Sequence, residues 1–172
     1  MNKNIIPTIN ISSLINNGFS SPKSIKTIKK IKKACVDIGF FQITGHAINQ
    51  KNIKSICNVG NKFFNSSEKN KIKLSPKKWN PKNKNIYRGY FPNDVNGKEG
   101  LDIGDLKVTK KYANSVKNQY IEYLNLNKSI DKKSIRILSN YFDKIFFLGE
   151  ALFKSIIKLY NKDTNISKLA FS

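Results

Sequence analysis

The 172-residue chain contains one histidine, two cysteines and only 11 acidic residues. A single imidazole excludes any site within these residues that needs two. Two cysteines cannot build a dense disulfide framework, which points to a reducing compartment or to thiols without a redox role. Long apolar runs are also missing. The longest uncharged stretch, residues 4–22, is interrupted by Pro7, Gly18 and several Asn and Ser, whereas a membrane span needs about 20 mostly apolar residues. The N-terminus lacks the apolar core and small-residue cleavage site of a secretory signal, so a cytoplasmic location is expected. Phosphate-cradling glycine loops and nucleophile elbows are absent too.

What the chain has in excess is positive charge: 32 Lys and Arg, for a formal net charge of +21. All of these except Arg88 and Arg136 are lysine, a point charge without the planar fork that reads phosphate or guanine bidentately. The lysines run from Lys3 to Lys168. Their densest cluster is Lys77, Lys78, Lys82 and Lys84, in a polar loop around Trp79. Asn and Ile are heavily used as well, as an AT-rich coding sequence would favour. The charge therefore reads as solvated surface, and nucleic acid is not the expected partner. The alternative is a small basic nucleic-acid-binding or non-catalytic interaction protein. With eleven Phe, seven Tyr and 39% hydrophobic residues, the chain is not wholly disordered and is long enough to bury a core.

Periodicity supplies the elements. Around residues 5–14, Ile9 and Ile11 alternate with polar residues as in a short strand beginning near Pro7. Residues 21–39 read as a helix, with Ile25, Ile28, Ile31, Cys35 and Ile38 as its apolar stripe, a cap at Ser21 or Ser24, and Gly39 after its end. A strand follows, with Phe41 and Ile43 on one side. A second helix covers about Gln50 to Asn65, burying Ile53, Ile56, Cys57, Gly60, Phe63 and Phe64. Residues 66–100 are less regular, with a short helix near Ser67, the strand IYRGYF and a further extended segment in LDIGDLKVT. The clearest helix spans about 134–160. Its stripe is Ile135, Leu138, Phe142, Ile145, Gly149, Leu152 and Ile156, flanked by Tyr141, Phe146, Phe153 and Ile157.

These segments carry a family likeness. IPTINISSL, ACVDIGFFQITGHAI, FFNSSEKNKIKL, YRGYFP and GLDIGDLKV, in that order, resemble the N-terminal region of the non-haem iron, 2-oxoglutarate-dependent dioxygenases, which include isopenicillin N synthase. The closing YFDKIFFLGEALFKSIIKLYN and SKLAF resemble the helix preceding the catalytic barrel in that family. GFFQITGHAI is the most specific piece, with Gly39, Phe40, Phe41 and His46 as its structural motif. One departure is local: the family usually has His-Gly-Ile where this chain has His46-Ala47-Ile48. If the glycine is there for positive φ, Ala47 is strained.

The resemblance implies an α+β fold, helices packed on a few short strands. It would be the incomplete N-terminal part of a double-stranded β-helix (jelly-roll) oxygenase. Residues 1–172 form the N-terminal region, with the C-terminal catalytic barrel absent from this chain. The activity implied for a complete enzyme is oxidation of a small organic substrate while 2-oxoglutarate is decarboxylated to succinate. Its iron would be held by His-x-Asp and a distant His, its co-substrate by Arg-x-Ser. A facial triad of two imidazoles and a carboxylate leaves positions open for co-substrate and oxygen. None of this set is found here: His46 is followed by Ala47-Ile48, and neither Arg88-Gly89-Tyr90 nor Arg136-Ile137-Leu138 is Arg-x-Ser.

No catalytic, metal-ligating or cofactor-binding residue is therefore expected within this chain. Fe(II) and 2-oxoglutarate belong to the full-length family, and the expected partner is a separate C-terminal catalytic half. Cys35, His46 and Cys57 match no zinc-ligand spacing. Arg88, Tyr90 and Phe91 are the candidates for a substrate-pocket wall. Asp102 and Asp105 read as turn or capping residues.

Overall fold

The computed structural model describes residues 6–93, 97–115 and 121–159. The expected SKLAF segment lies outside them. Six helices, four three-residue strands and one 3-10 turn are present among the described residues: a mixed fold of helices with a few short strands. None of these helices is long and apolar enough to cross a membrane. The chain divides into two compact units, residues 1–49 with 144–172, and residues 50–143.

In the first unit, β1 (Thr8–Asn10) and β2 (Gln42–Thr44) pair in parallel, with Ile9 opposite Ile43. Parallel pairing requires a crossover, supplied by α1 (Ser12–Asn17) and α2 (Pro22–Asp37). Helix α1 was not expected from the sequence. Its start is organised from outside the helix, by the Ser12 N–H donating to Asn10 Oδ1 at 2.9 Å. Ser21 caps α2, its hydroxyl accepting from the Ser24 N–H, and Pro22 occupies the first turn, where the missing N–H costs nothing. The helix ends at Gly39, which takes φ 85° and donates its N–H to Ala34 O at 3.0 Å.

The buried face of α2 is Ser24, Thr27, Ile28, Ile31 and Ala34, which corrects the expected stripe. Ile28 and Ile31 are shared, but Ile25 is 42% exposed and Cys35 is exposed. The reason lies in hydroxyls. Ser24 Oγ donates to Ser13 O, and the Thr27 and Ser13 hydroxyls bond at 3.0 Å, so small polar side chains let α1 sit where an isoleucine would hold it off. Hydropathy weights cannot see that.

Ala47 adopts φ 61°, in the left-handed region that costs an L-residue with a Cβ about 1–2 kcal/mol. Ala47→Gly is therefore expected to stabilise the protein by roughly 0.5–1 kcal/mol after the extra entropy lost by glycine. Thermal melts of the two proteins check this, and a Tm that stays level or drops refutes it.

The second unit holds α3 (Gln50–Phe64), α4 (Glu68–Ile72), the antiparallel pair β3 (Gly89–Phe91) and β4 (Gly100–Asp102), α5 (Lys110–Ser115) and the 3-10 turn Leu126–Lys128. Helix α6 (Lys132–Leu159) starts in this unit and ends in the first. Val59, Phe63, Leu74, Tyr90, Leu126, Ile130 and Leu138 form the core here. Cys57, expected on the buried face of α3, is exposed, and Val59 takes the inner position.

Loop 75–88 is less solvated than its composition suggests. Ser75, Pro76 and Asn83 are buried, and the Asn83 amide donates to the carbonyls of Lys73 and Ser75. In the first-unit part of α6 the buried residues are Leu148, Ala151, Ser155 and Ile157, while Ile145, Phe146, Phe147 and Gly149 are exposed. That corrects the expected placement of Ile145 and Gly149 on the inner stripe. Small residues again occupy the close approach, with Ser155 returning its hydroxyl to Ala151 O at 2.8 Å.

Candidate functional site

The sequence candidates Arg88, Tyr90 and Phe91 lie on or beside β3. Its register sets Gly89 opposite Asp102, Tyr90 opposite Leu101 and Phe91 opposite Gly100. Side chains alternate along a strand, so Tyr90, which is buried, and Phe91, which is half-buried, lie on opposite faces of β3. Arg88 reaches Asp102 across the hairpin, Nη1 to Oδ1 at 2.7 Å, and its guanidinium lies over Gly104, where a Cβ would come within 3.1 Å of Nε. Phe91 packs edge-on against Trp79 at 5.4 Å, and the Lys78 ammonium sits 4.4 Å from the Trp79 ring centroid.

Tyr90 is only 2% exposed. Its ring meets Phe63 at 5.8 Å, and its hydroxyl donates to Glu99 Oε2 at 2.7 Å. The same oxygen receives the Lys71 ammonium at 2.6 Å, which also donates to Phe64 O. Lys71 holds Glu99 below the usual carboxylate range, with the Tyr90 hydroxyl adding to the effect. Glu99 in turn raises Lys71. Burial is the main cause that raises the Tyr90 phenol, reinforced by the carboxylate. Glu99 Oε2 thus gathers two donors, tying Tyr90 of β3 to Lys71 of α4 and stiffening this part of the unit.

A second carboxylate orders the approach to β3. Glu122 accepts the backbone N–H groups of Ile86, Tyr87 and Arg88 at 2.6, 2.8 and 2.9 Å, a ready-made anion nest filled from within. At the start of α6, Asp131 accepts from Lys62 and from both the N–H and hydroxyl of Ser134. Its carboxyl is therefore driven far down, first by Lys62 and then by Ser134. Sequence reasoning passed over Lys71, Glu99 and Glu122. The available signal was scarcity: with 11 acids among so many lysines, each carboxylate is a candidate hub, but its partners stand tens of residues away.

In the GFFQITGHAI motif, Gly39 ends α2, Phe40 is 69% exposed and Phe41 is half-buried. His46 Nδ1 accepts the Ile48 N–H at 3.1 Å. Among the described residues, no three of His, Cys, Asp and Glu come together to hold a metal. With one histidine in the sequence, its Nδ1 already occupied, these residues do not fit a two-imidazole iron site. Cys35 and Cys57 are both free and exposed, on two different helices.

Comparison with known proteins gives one consistent answer. Residues 6–136 match the family "non-haem dioxygenase in morphine synthesis N-terminal". The chain is similar to a protein named as a probable iron/ascorbate oxidoreductase of Dictyostelium discoideum, with 29% identity over 88% of this chain and 44% of that protein. It is also similar to a 2-oxoglutarate-dependent dioxygenase of Talaromyces stipitatus, with 32% identity over 51% of this chain and 26% of the relative. A homoarginine-6-hydroxylase of Glycine max is 35% identical over 41% of this chain and 24% of its own length. The chain spans less than half the length of these relatives.

Proposed function

The chain belongs to the non-haem, 2-oxoglutarate-dependent dioxygenase family, as its N-terminal region, and from that premise we propose that it is the scaffold of an Fe(II)/2-oxoglutarate-dependent oxygenase acting on a small organic substrate. The carrying observation is the family match across residues 6–136 in a chain with one histidine. The jelly-roll barrel and its iron ligands are then supplied by polypeptide outside these 172 residues, in the same chain or in a separate catalytic half. The two helical units and their short strands serve as the support on which that barrel is assembled.

Arg88 and Phe91, the two β3 candidates with solvent-accessible side chains, are assigned to the mouth of the substrate pocket. Tyr90 beneath them supports the strand. Arg88 suits a substrate carboxylate because its remaining guanidinium donors form a planar fork. The exposed free thiols of Cys35 and Cys57 accord with a reducing cytoplasm.

The 172-residue chain, supplied with Fe(II), 2-oxoglutarate and ascorbate, is expected to release no succinate and to bind no stoichiometric ferrous ion. Mass-spectrometric succinate assays and metal analysis after gel filtration check this. Turnover by sequence-verified protein of this length would overturn the scaffold reading.

A further inference from the structure

Within residues 50–143 a pocket of about 310 Å³ is lined by Lys73, Lys82, Lys84, Lys110, Lys128 and Asn83, with no acidic residue among the described residues of its wall. Elsewhere Lys33, Lys62, Lys71, Lys107 and Lys154 each meet a carboxylate at 2.6–2.9 Å. Among the described residues none of the five pocket lysines does. Two of them are held by neutral groups, the Lys73 ammonium donating to Asn70 Oδ1 at 3.3 Å. The Lys128 ammonium donates to Asn83 Oδ1 at 2.7 Å, and that buried amide is itself locked by its bonds to Lys73 O at 3.0 Å and Ser75 O at 2.6 Å. An ammonium has three donors, so two remain for a ligand.

Five lysines around one concavity bring like charges together, and a concave wall focuses their field. We propose that this pocket is a binding site for a polyphosphate anion, the di- or triphosphate chain of an inorganic polyphosphate or a nucleotide. The choice of class follows from the side chains. Lysine binds phosphate oxygens as a point charge without needing a planar fork, and five such charges around one pocket suit a ligand that carries several negative charges along a short chain. The volume lies at the lower end of small-ligand pockets, roughly 300–1,000 Å³, which suits a short phosphate chain. This site goes beyond the scaffold role and does not depend on it.

Isothermal titration of the full 172-residue chain with sodium tripolyphosphate, at about 150 mM salt to screen diffuse attraction, is expected to show one site. Lys82→Ala/Lys84→Ala/Lys110→Ala should weaken it at least about tenfold. These three side chains are exposed, and circular dichroism verifies that the variant stays folded. Lys23→Ala/Lys26→Ala/Lys29→Ala removes equal charge from the exposed surface of α2 and should change affinity less than about twofold. ATP binding as tightly as tripolyphosphate would identify the phosphate chain as the whole ligand, and tighter ATP binding would add a base contact; both support the site.

Four results overturn it. They are absence of binding by tripolyphosphate, equal weakening by the two triple variants, equal affinity for citrate or 2-oxoglutarate, and single-stranded oligonucleotide binding that outcompetes tripolyphosphate yet ignores the pocket variant.

Discussion

Gly89→Ala is expected to abolish the fold of residues 50–143. A Cβ at Gly89 would lie 1.9 Å from the Leu74 carbonyl oxygen, and the residue has φ 122°, where side chains are strained even with room to spare. The obstacle is backbone, not a flexible side-chain tip. Leu74 is fully buried in the core of that unit, and its carbonyl accepts the Tyr90 N–H at 3.2 Å and the Asn85 amide. Relief would therefore require β3 to leave its partner loop.

A loss on the order of 4 kcal/mol or more follows from the strain and the broken bonds, comparable to the whole stability of a marginal domain, about 5–15 kcal/mol. Gly60→Ala is the matched control. It lies inside α3 with nothing within 4 Å of the new Cβ, and alanine there should stabilise by about 0.5–1 kcal/mol. Urea unfolding followed by circular dichroism separates the two. A folded Gly89→Ala protein with an unchanged midpoint would show that the close approach at β3 is misassigned.

Tyr90→Ala should cost about 3–5 kcal/mol, the range for deleting a large buried ring, because Tyr90 is core rather than pocket surface. Tyr90→Phe isolates the hydroxyl. It leaves the ring against Phe63 and removes the donor to Glu99, for a loss of about 1–2 kcal/mol. Near-neutral behaviour of Tyr90→Ala in denaturant would refute the core assignment.

The pH dependence of stability carries the same signature. Glu99 and Asp131 are depressed, so their contribution is present above the unfolded carboxylate values near about 4 and is lost as pH falls through the folded ones. Lys71 and Tyr90 are raised, so theirs is present below about 10 and is lost as pH rises through the folded values. Stability should plateau between roughly pH 5 and 9. Tyr90→Phe should reduce the alkaline loss to the part carried by Lys71 and leave the loss through Asp131 on the acid side in place.

Much of the architecture was legible in the residue pattern because it is local. Helices α2, α3 and α6 announce themselves by apolar spacing, and the ends of α2 by a serine cap and Gly39. The order of motifs identified the family, and the question raised at Ala47 could be framed from the sequence, although only its φ of 61° answers it. Helix α1 escaped because six residues with no strong apolar period owe their start to Asn10 and their packing to Ser24 and Thr27. The outward turn of Ile25, Cys35 and Ile145 has a related origin: helix neighbours choose the face that lets backbones approach, and the most hydrophobic face is not always that one.

The candidate site divides the same way. From the sequence alone came what this stretch is chemically unable to do, since one histidine and no Arg-x-Ser preclude a two-imidazole iron centre and the family's co-substrate grip within it. Only the tertiary structure decided that Tyr90 is core, that Arg88 is engaged by Asp102, that Glu122 fills a nest 34–36 residues away and that five of many lysines share one pocket. The physical reason is range. Composition and periodicity report on one residue and its nearest turns, whereas a charge acquires a role from whichever groups folding brings within about 3 Å of it.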